Sequence, residues 1–121
     1  MLRDSKAFSG FAADDISAAK QFYADVLGLD VSEANGMLTL NLAGDRPTLI
    51  YPKDHHVPAE YTILNFPVAD IETTVDDLVA RGVHFEHYDW VDERGINRHG
   101  GPLIAWFRDP AGNILSVIQN D

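Results

Sequence analysis

A chain of 121 residues is long enough for one domain with a real core and too short for two ordinary ones. Its hydrophobic share of 45% and charged share of 23% suit a soluble globular protein, and the absence of cysteine excludes disulfides, thiolate metal sites and cysteine nucleophiles. The formal net charge of −10 disfavours nucleic acid as a partner and favours neutral or cationic ligands, while no apolar run approaches the roughly 18 residues that a membrane span needs.

Residues 1–6 lack the apolar core of a secretory leader, so a cytoplasmic location is expected. A strand is predicted over 7–13, followed by a helix that Asp15 caps, with Ile16, Ala19, Tyr23, Val26 and Leu27 as its apolar stripe. Gly28 ends it, and three short strands follow at 29–33, 37–42 and 48–51. Residues 52–61, with two prolines and the pair His55-His56, read as an exposed junction.

The second half repeats the order. A strand at 62–69 leads to a helix capped by Asp70, with Ile71, Val75, Leu78 and Val79 along one face and Gly82 at its end. Strands are predicted at 83–88, 103–107 and 114–119. The sequence Phe11-Ala12-Ala13-Asp14-Asp15-Ile16 matches Phe66-Pro67-Val68-Ala69-Asp70-Ile71, 55 residues later. Ala43-Gly44-Asp45 matches Ala111-Gly112-Asn113 at an offset of 68, so the second half holds 13 extra residues, placed at 87–102. The pattern is βαβββ twice, an α+β fold in a single domain over 1–121, with module one at 6–52, a linker at 53–60 and module two at 61–120.

Two motifs carry a resemblance. One is Asp15 followed by Phe22-Tyr23 and Leu27-Gly28-Leu29. The other is the turn Asp109-Pro110-Ala111-Gly112-Asn113 between apolar strands, where proline presets φ and Gly and Asn tolerate positive φ. With the duplication, the chain resembles the vicinal-oxygen-chelate superfamily of glyoxalases, bleomycin-resistance proteins and extradiol dioxygenases. The resemblance implies two modules forming a cup-shaped mixed sheet, with helices on the convex side and substrate, usually with a metal, on the concave side. Counting from the caps and the turn puts the family's metal-ligand positions at Phe8, Thr48, Ile63 and Ser116, with Ile50 as an alternative to Thr48. Phenylalanine and isoleucine offer no donor atom and neutral hydroxyls are poor ligands, so no metal and no other cofactor is expected.

Strand alternation adds Asn65 and Trp106 to the same lining. The insertion contains Trp90, Arg94 and His99 among glycines and reads as a lid that supplies them to a ligand. The resulting expectation is a metal-independent protein that binds a small organic molecule, aromatic or cationic, with no catalytic residue. It is similar to bleomycin-resistance-type sequestering proteins, which are often homodimers, and a homodimer is expected here too. The alternative is a glyoxalase-like lyase or isomerase, or a dioxygenase-type enzyme, with an atypical or absent metal site, for which Asp92, Glu93 and His99 are the candidate ligands. A third reading is a regulatory module with a vestigial pocket.

Overall fold

The computed structural model describes residues 1–120. The chain forms two compact units, residues 1–56 and from residue 57 onward, and the boundary falls inside the junction read from the sequence. Among the described residues, no helix is long and apolar enough to cross a membrane.

In the first unit, β1 (Ser9–Ala13) leads to α1 (Ile16–Lys20), which continues as a π-helical segment, Gln21–Val26. The Asp15 side chain caps α1 by accepting from the Ala18 N–H at 3.0 Å, satisfying one of the donors every helix start leaves open. Strands β2 (Val31–Ala34), β3 (Met37–Leu42) and β4 (Arg46–Pro52) follow. The sheet order is β1-β4-β3-β2, with β1 parallel to β4 and the other pairs antiparallel. Leu38, Leu40 and Ile50 are fully buried together with Tyr23 of the helical segment, which packs against the Phe11 ring at 6.0 Å.

In the second unit, β5 (Thr62–Pro67), α2 (Ile71–Ala80), β6 (Ile96–Asn97), β7 (Leu103–Arg108) and β8 (Ile114–Gln119) give the sheet order β5-β8-β7-β6. Asp70 caps α2 through the N–H groups of Glu72 and Thr73 and accepts the Thr73 hydroxyl. Those Thr73 bonds, backbone first and hydroxyl second, hold the Asp70 carboxyl below the usual carboxylate range. The Ile71 N–H donates to Gln119 Oε1 at 2.8 Å, which ties the helix start to the end of β8. Ile71, Val75, Ala105, Phe107, Leu115 and Val117 are buried and form the core of this unit. The two units are thus two βαβββ modules with two four-stranded mixed sheets, as the sequence predicts.

One predicted strand is reduced. Residues 83–88 contribute a single bridge, Phe85 with Phe107, and the Glu86 N–H donates to the Trp106 carbonyl at 2.8 Å. The rest of the β7 edge pairs with Ile96 and Asn97, inside the stretch read as an insertion. Two segments share that edge, so neither forms a long strand. Val83 and Phe85 still bury alternate side chains, which is the period the sequence displayed.

Candidate functional site

In the second unit the register Asn65–Ser116–Trp106 runs across three strands. These residues alternate with Phe66 and the buried Val117 and Ala105, and so belong to the opposite face. At the end of this face where β5 and β8 begin, a cleft of about 650 Å³ opens. Its floor is Thr62, Trp106, Arg108 and Ile114, one wall is the backbone run 57–61, and the other is Tyr88 and Trp90. A volume of this order and a lining made mostly of apolar and aromatic groups suit a small organic ligand.

The aromatic groups are fixed to one another. Tyr88 stacks on Trp90 with ring centroids 4.7 Å apart and planes 17° from parallel. It also meets Trp106 nearly edge-on at 5.8 Å. The Trp106 indole N–H donates to Thr62 Oγ1 at 3.0 Å, which sets the ring's orientation. Trp90 remains 52% exposed, so a second flat partner can lie on it. Arg108 lines the floor, yet its guanidinium is engaged by Glu86 and by the Gly112 carbonyl. Further along the face, the buried Ser116 hydroxyl donates to Asn65 Oδ1 at 2.5 Å, leaving the amide N–H groups as what Asn65 has to offer.

The Asp-Pro-Ala-Gly-Asn turn braces the cleft. Asp109 Oδ1 accepts from the N–H groups of Ala111 and Asn113, both at 2.9 Å, and Asp109 Oδ2 accepts from Asn113 Nδ2 at 3.0 Å. Gly112 has φ of +85° and sits so close to the wall that an added Cβ would lie 3.2 Å from Pro58 Cγ. The backbone there favours glycine, and the close approach of Pro58 leaves little room for a side chain.

The residues expected from the sequence divide into groups. Trp106, Ser116 and Asn65 share one face of the sheet, and Trp90 joins Trp106 at the cleft through Tyr88. Ile63 falls in an irregularity of the β5–β8 ladder between Thr62 and Leu64. The extra residue shifts the phase, so Thr62 rather than Ile63 reaches the cleft and Trp106. Arg94 turns away to α2, where its guanidinium meets Glu72 at 3.1 Å and Asp76. His99 is exposed, with its N–H bonded to Asn97 Oδ1, and does not line the cleft.

The insertion is therefore divided rather than a free lid. Its first part supplies Tyr88 and Trp90, and its later part is strapped to α2. Asp92 Oδ1 accepts from the N–H groups of Arg94 and Ile96, while Asp92 Oδ2 pairs with Arg98 Nε at 2.8 Å. Burial opposes the Asp92 charge, but the Arg98 guanidinium and the two N–H groups outweigh it and hold the carboxyl below its usual range.

In the first unit, Phe8 lies just before β1 and is 63% exposed. Thr48 is only 7% exposed and shares the face of Leu40, Ile50 and Phe11, whose ring meets Tyr23. The parallel register gives the reason. Gly10 pairs with Leu49 as Asn65 pairs with Ser116, so Leu49 is the counterpart of Ser116. Module one closes its hairpin with three residues between Leu42 and Arg46, against five between Arg108 and Ile114, and a count from the turn is displaced by one.

These residues do not fit the metal that the resemblance implies. Phe8, Leu49 and Ile63 carry no donor, the Thr62 hydroxyl is bonded to Trp106, and the Ser116 hydroxyl is bonded to Asn65. Among the described residues, no three His, Asp or Glu side chains group so as to hold a metal ion. Sequence reasoning missed Tyr88, Thr62, Arg108 and the wall at 57–61. Only Tyr88 and Trp90, two aromatics flanking Asp89, carried a visible signal.

Comparison with known proteins agrees with this architecture. A glyoxalase family protein from Enterococcus faecalis superposes with a TM-score of 0.71 at 25% identity, covering 98% of this chain and 99% of that one. The fosfomycin resistance protein FosX from Mesorhizobium loti gives 0.68 at 12% identity, covering 98% and 93%. TnmS3, an antibiotic binding protein from Streptomyces sp. CB03234, gives 0.67 at 20% identity, covering 98% of each chain. The latter two likenesses concern the fold alone. No curated protein matches the sequence. The family model for the Glyoxalase/Bleomycin resistance protein/Dioxygenase superfamily matches residues 8–117, nearly the whole chain, and the chain belongs to that superfamily.

Proposed function

We propose that this protein captures a small, planar organic molecule in the cleft of its second module by binding alone, without a metal. The observation that carries this reading is the fixed aromatic set Trp90–Tyr88–Trp106, held by the Thr62 hydrogen bond beside a cleft of about 650 Å³. Preset rings lose little freedom when a ligand stacks on them, so their contact area converts efficiently into affinity. The side chains also argue for binding over turnover. Among the described residues, no hydroxyl lining the cleft is hydrogen-bonded to a carboxylate or an imidazole, and Thr62 Oγ1 accepts from the Trp106 indole N–H. The antibiotic-binding relative of the same fold is in keeping with this reading.

The chain has two tryptophans, Trp90 and Trp106, and both line the cleft. Intrinsic fluorescence therefore reads the site directly. Saturable quenching by planar aromatic compounds in a chelating buffer is the expected result, and its absence would sink the reading.

The reading includes a cytoplasmic homodimer. Each sheet ends on a strand with one unpaired edge, β1 in the first and β5 in the second, and such edges favour association. Light scattering is expected to give twice the 13.4 kDa chain mass. The monomer mass at working concentration would remove the dimer while leaving the cleft untouched.

A further inference from the structure

The cleft's charges say which planar molecule it takes, an inference that rests on the binding reading above. The ionisable groups of opposite sign in the lining are Glu60 and Arg108. Arg108 is already met by Glu86 and by the Gly112 carbonyl, so its charge is answered from within the protein. Among the described residues, no ion pair engages Glu60, which is exposed at the cleft wall. With Glu86 counted beside Arg108, the cleft holds one surplus negative charge.

The stacking surface has the same sign. Aromatic faces carry the negative part of the ring quadrupole, and the exposed Trp90 face and the Tyr88 ring behind it present a two-ring platform of this kind. Asp89 stands between them in sequence and is exposed, placing a further carboxylate on the segment that bears the platform. The chain's net charge of −10 draws cations toward it from a distance. A neutral planar ligand would use the platform alone. A planar cation with delocalised charge would use platform, Glu60 and field together.

We infer that the cleft selects planar aromatic cations, with Tyr88 and Trp90 as the stacking platform and Glu60 as the counter-charge. An anionic planar compound is refused by the same groups.

Three probes on one ring system test this. These are 10-methylacridinium, neutral acridine in mildly alkaline buffer, and anionic acridine-9-carboxylate, each titrated against tryptophan fluorescence. The expected order is cation, neutral, anion, with the cation about tenfold tighter than the neutral ring. Glu60→Gln is expected to weaken the cation to within about threefold of neutral acridine while leaving the neutral probe's Kd unchanged. Glu60 is exposed, so the variant is expected to fold as the parent does. Equal binding of cation and neutral ring, unaffected by Glu60→Gln, would overturn charge selection and leave the binding cleft standing. Failure of all three probes to quench would overturn both.

Discussion

Phe107→Ala is expected to lower the free energy of unfolding by about 3–5 kcal/mol, the range for removing a buried phenylalanine without refilling its space. Phe107 is fully buried in β7, in register with Leu115, and its ring meets Phe85 nearly edge-on at 5.5 Å. It is also the residue through which the segment 83–88 bridges to the sheet. Truncation would leave a void under the strand and release the segment that carries Tyr88. A loss of this size is a large fraction of a typical domain's stability. Urea unfolding should show a lower midpoint at an unchanged slope, the mark of altered stability rather than altered compactness. A loss below about 1 kcal/mol would mean that this contact does not organise the second unit.

The second large effect concerns binding. Trp106→Ala should weaken capture of a planar ligand by about 2 kcal/mol or more, some thirtyfold in Kd, as expected for a central aromatic in an interface. The substitution removes the ring on the cleft floor, the partner of the Thr62 hydroxyl and the ring that Tyr88 meets nearly edge-on. Trp106→Phe separates these contributions. It keeps a smaller ring for Tyr88 and loses the N–H with the rest of the five-membered ring, so it should fall between parent and alanine. Calorimetric titration is the suitable measurement, because the substitutions remove one of the two fluorescent reporters. Unchanged affinity in Trp106→Ala would place the ligand somewhere other than this cleft.

The fold was legible because local signals and the duplication agreed. Asp15 and Asp70 precede the helices and do cap them. The Asp109–Asn113 turn pairs Trp106 with Ser116, as a five-residue hairpin loop requires. The site was legible only in part. Trp106 and Ser116 follow from counting outward from that turn, and Asn65 from strand alternation counted back from the Asp70 cap. Leu49 could not be found in the same way, because module one closes with a shorter turn and the count moves one residue. Thr62 was hidden by the irregularity at Ile63, which leaves no mark in the residue types. Arg94 read as a ligand contact because an arginine in a polar loop looks uncommitted. Its partners, Glu72 and Asp76, lie 22 and 18 residues earlier on α2, and only the folded chain brings them together. The wall at 57–61 looked like a plain linker, since proline and polar residues carry that meaning wherever they occur. It becomes part of a cleft because Pro58 packs against Gly112.

Phe8, Leu49 and Ile63 carry no metal donor. The buried Ser116 hydroxyl is bonded to Asn65 Oδ1, whereas Trp90 presents an exposed ring.

The most direct test of metal-independent capture is a tryptophan fluorescence titration with a panel of planar aromatic compounds, run with EDTA present and again with divalent cations restored. Saturable quenching with the same Kd in both conditions is the predicted result. Quenching that appears only when a divalent cation is restored would contradict the account.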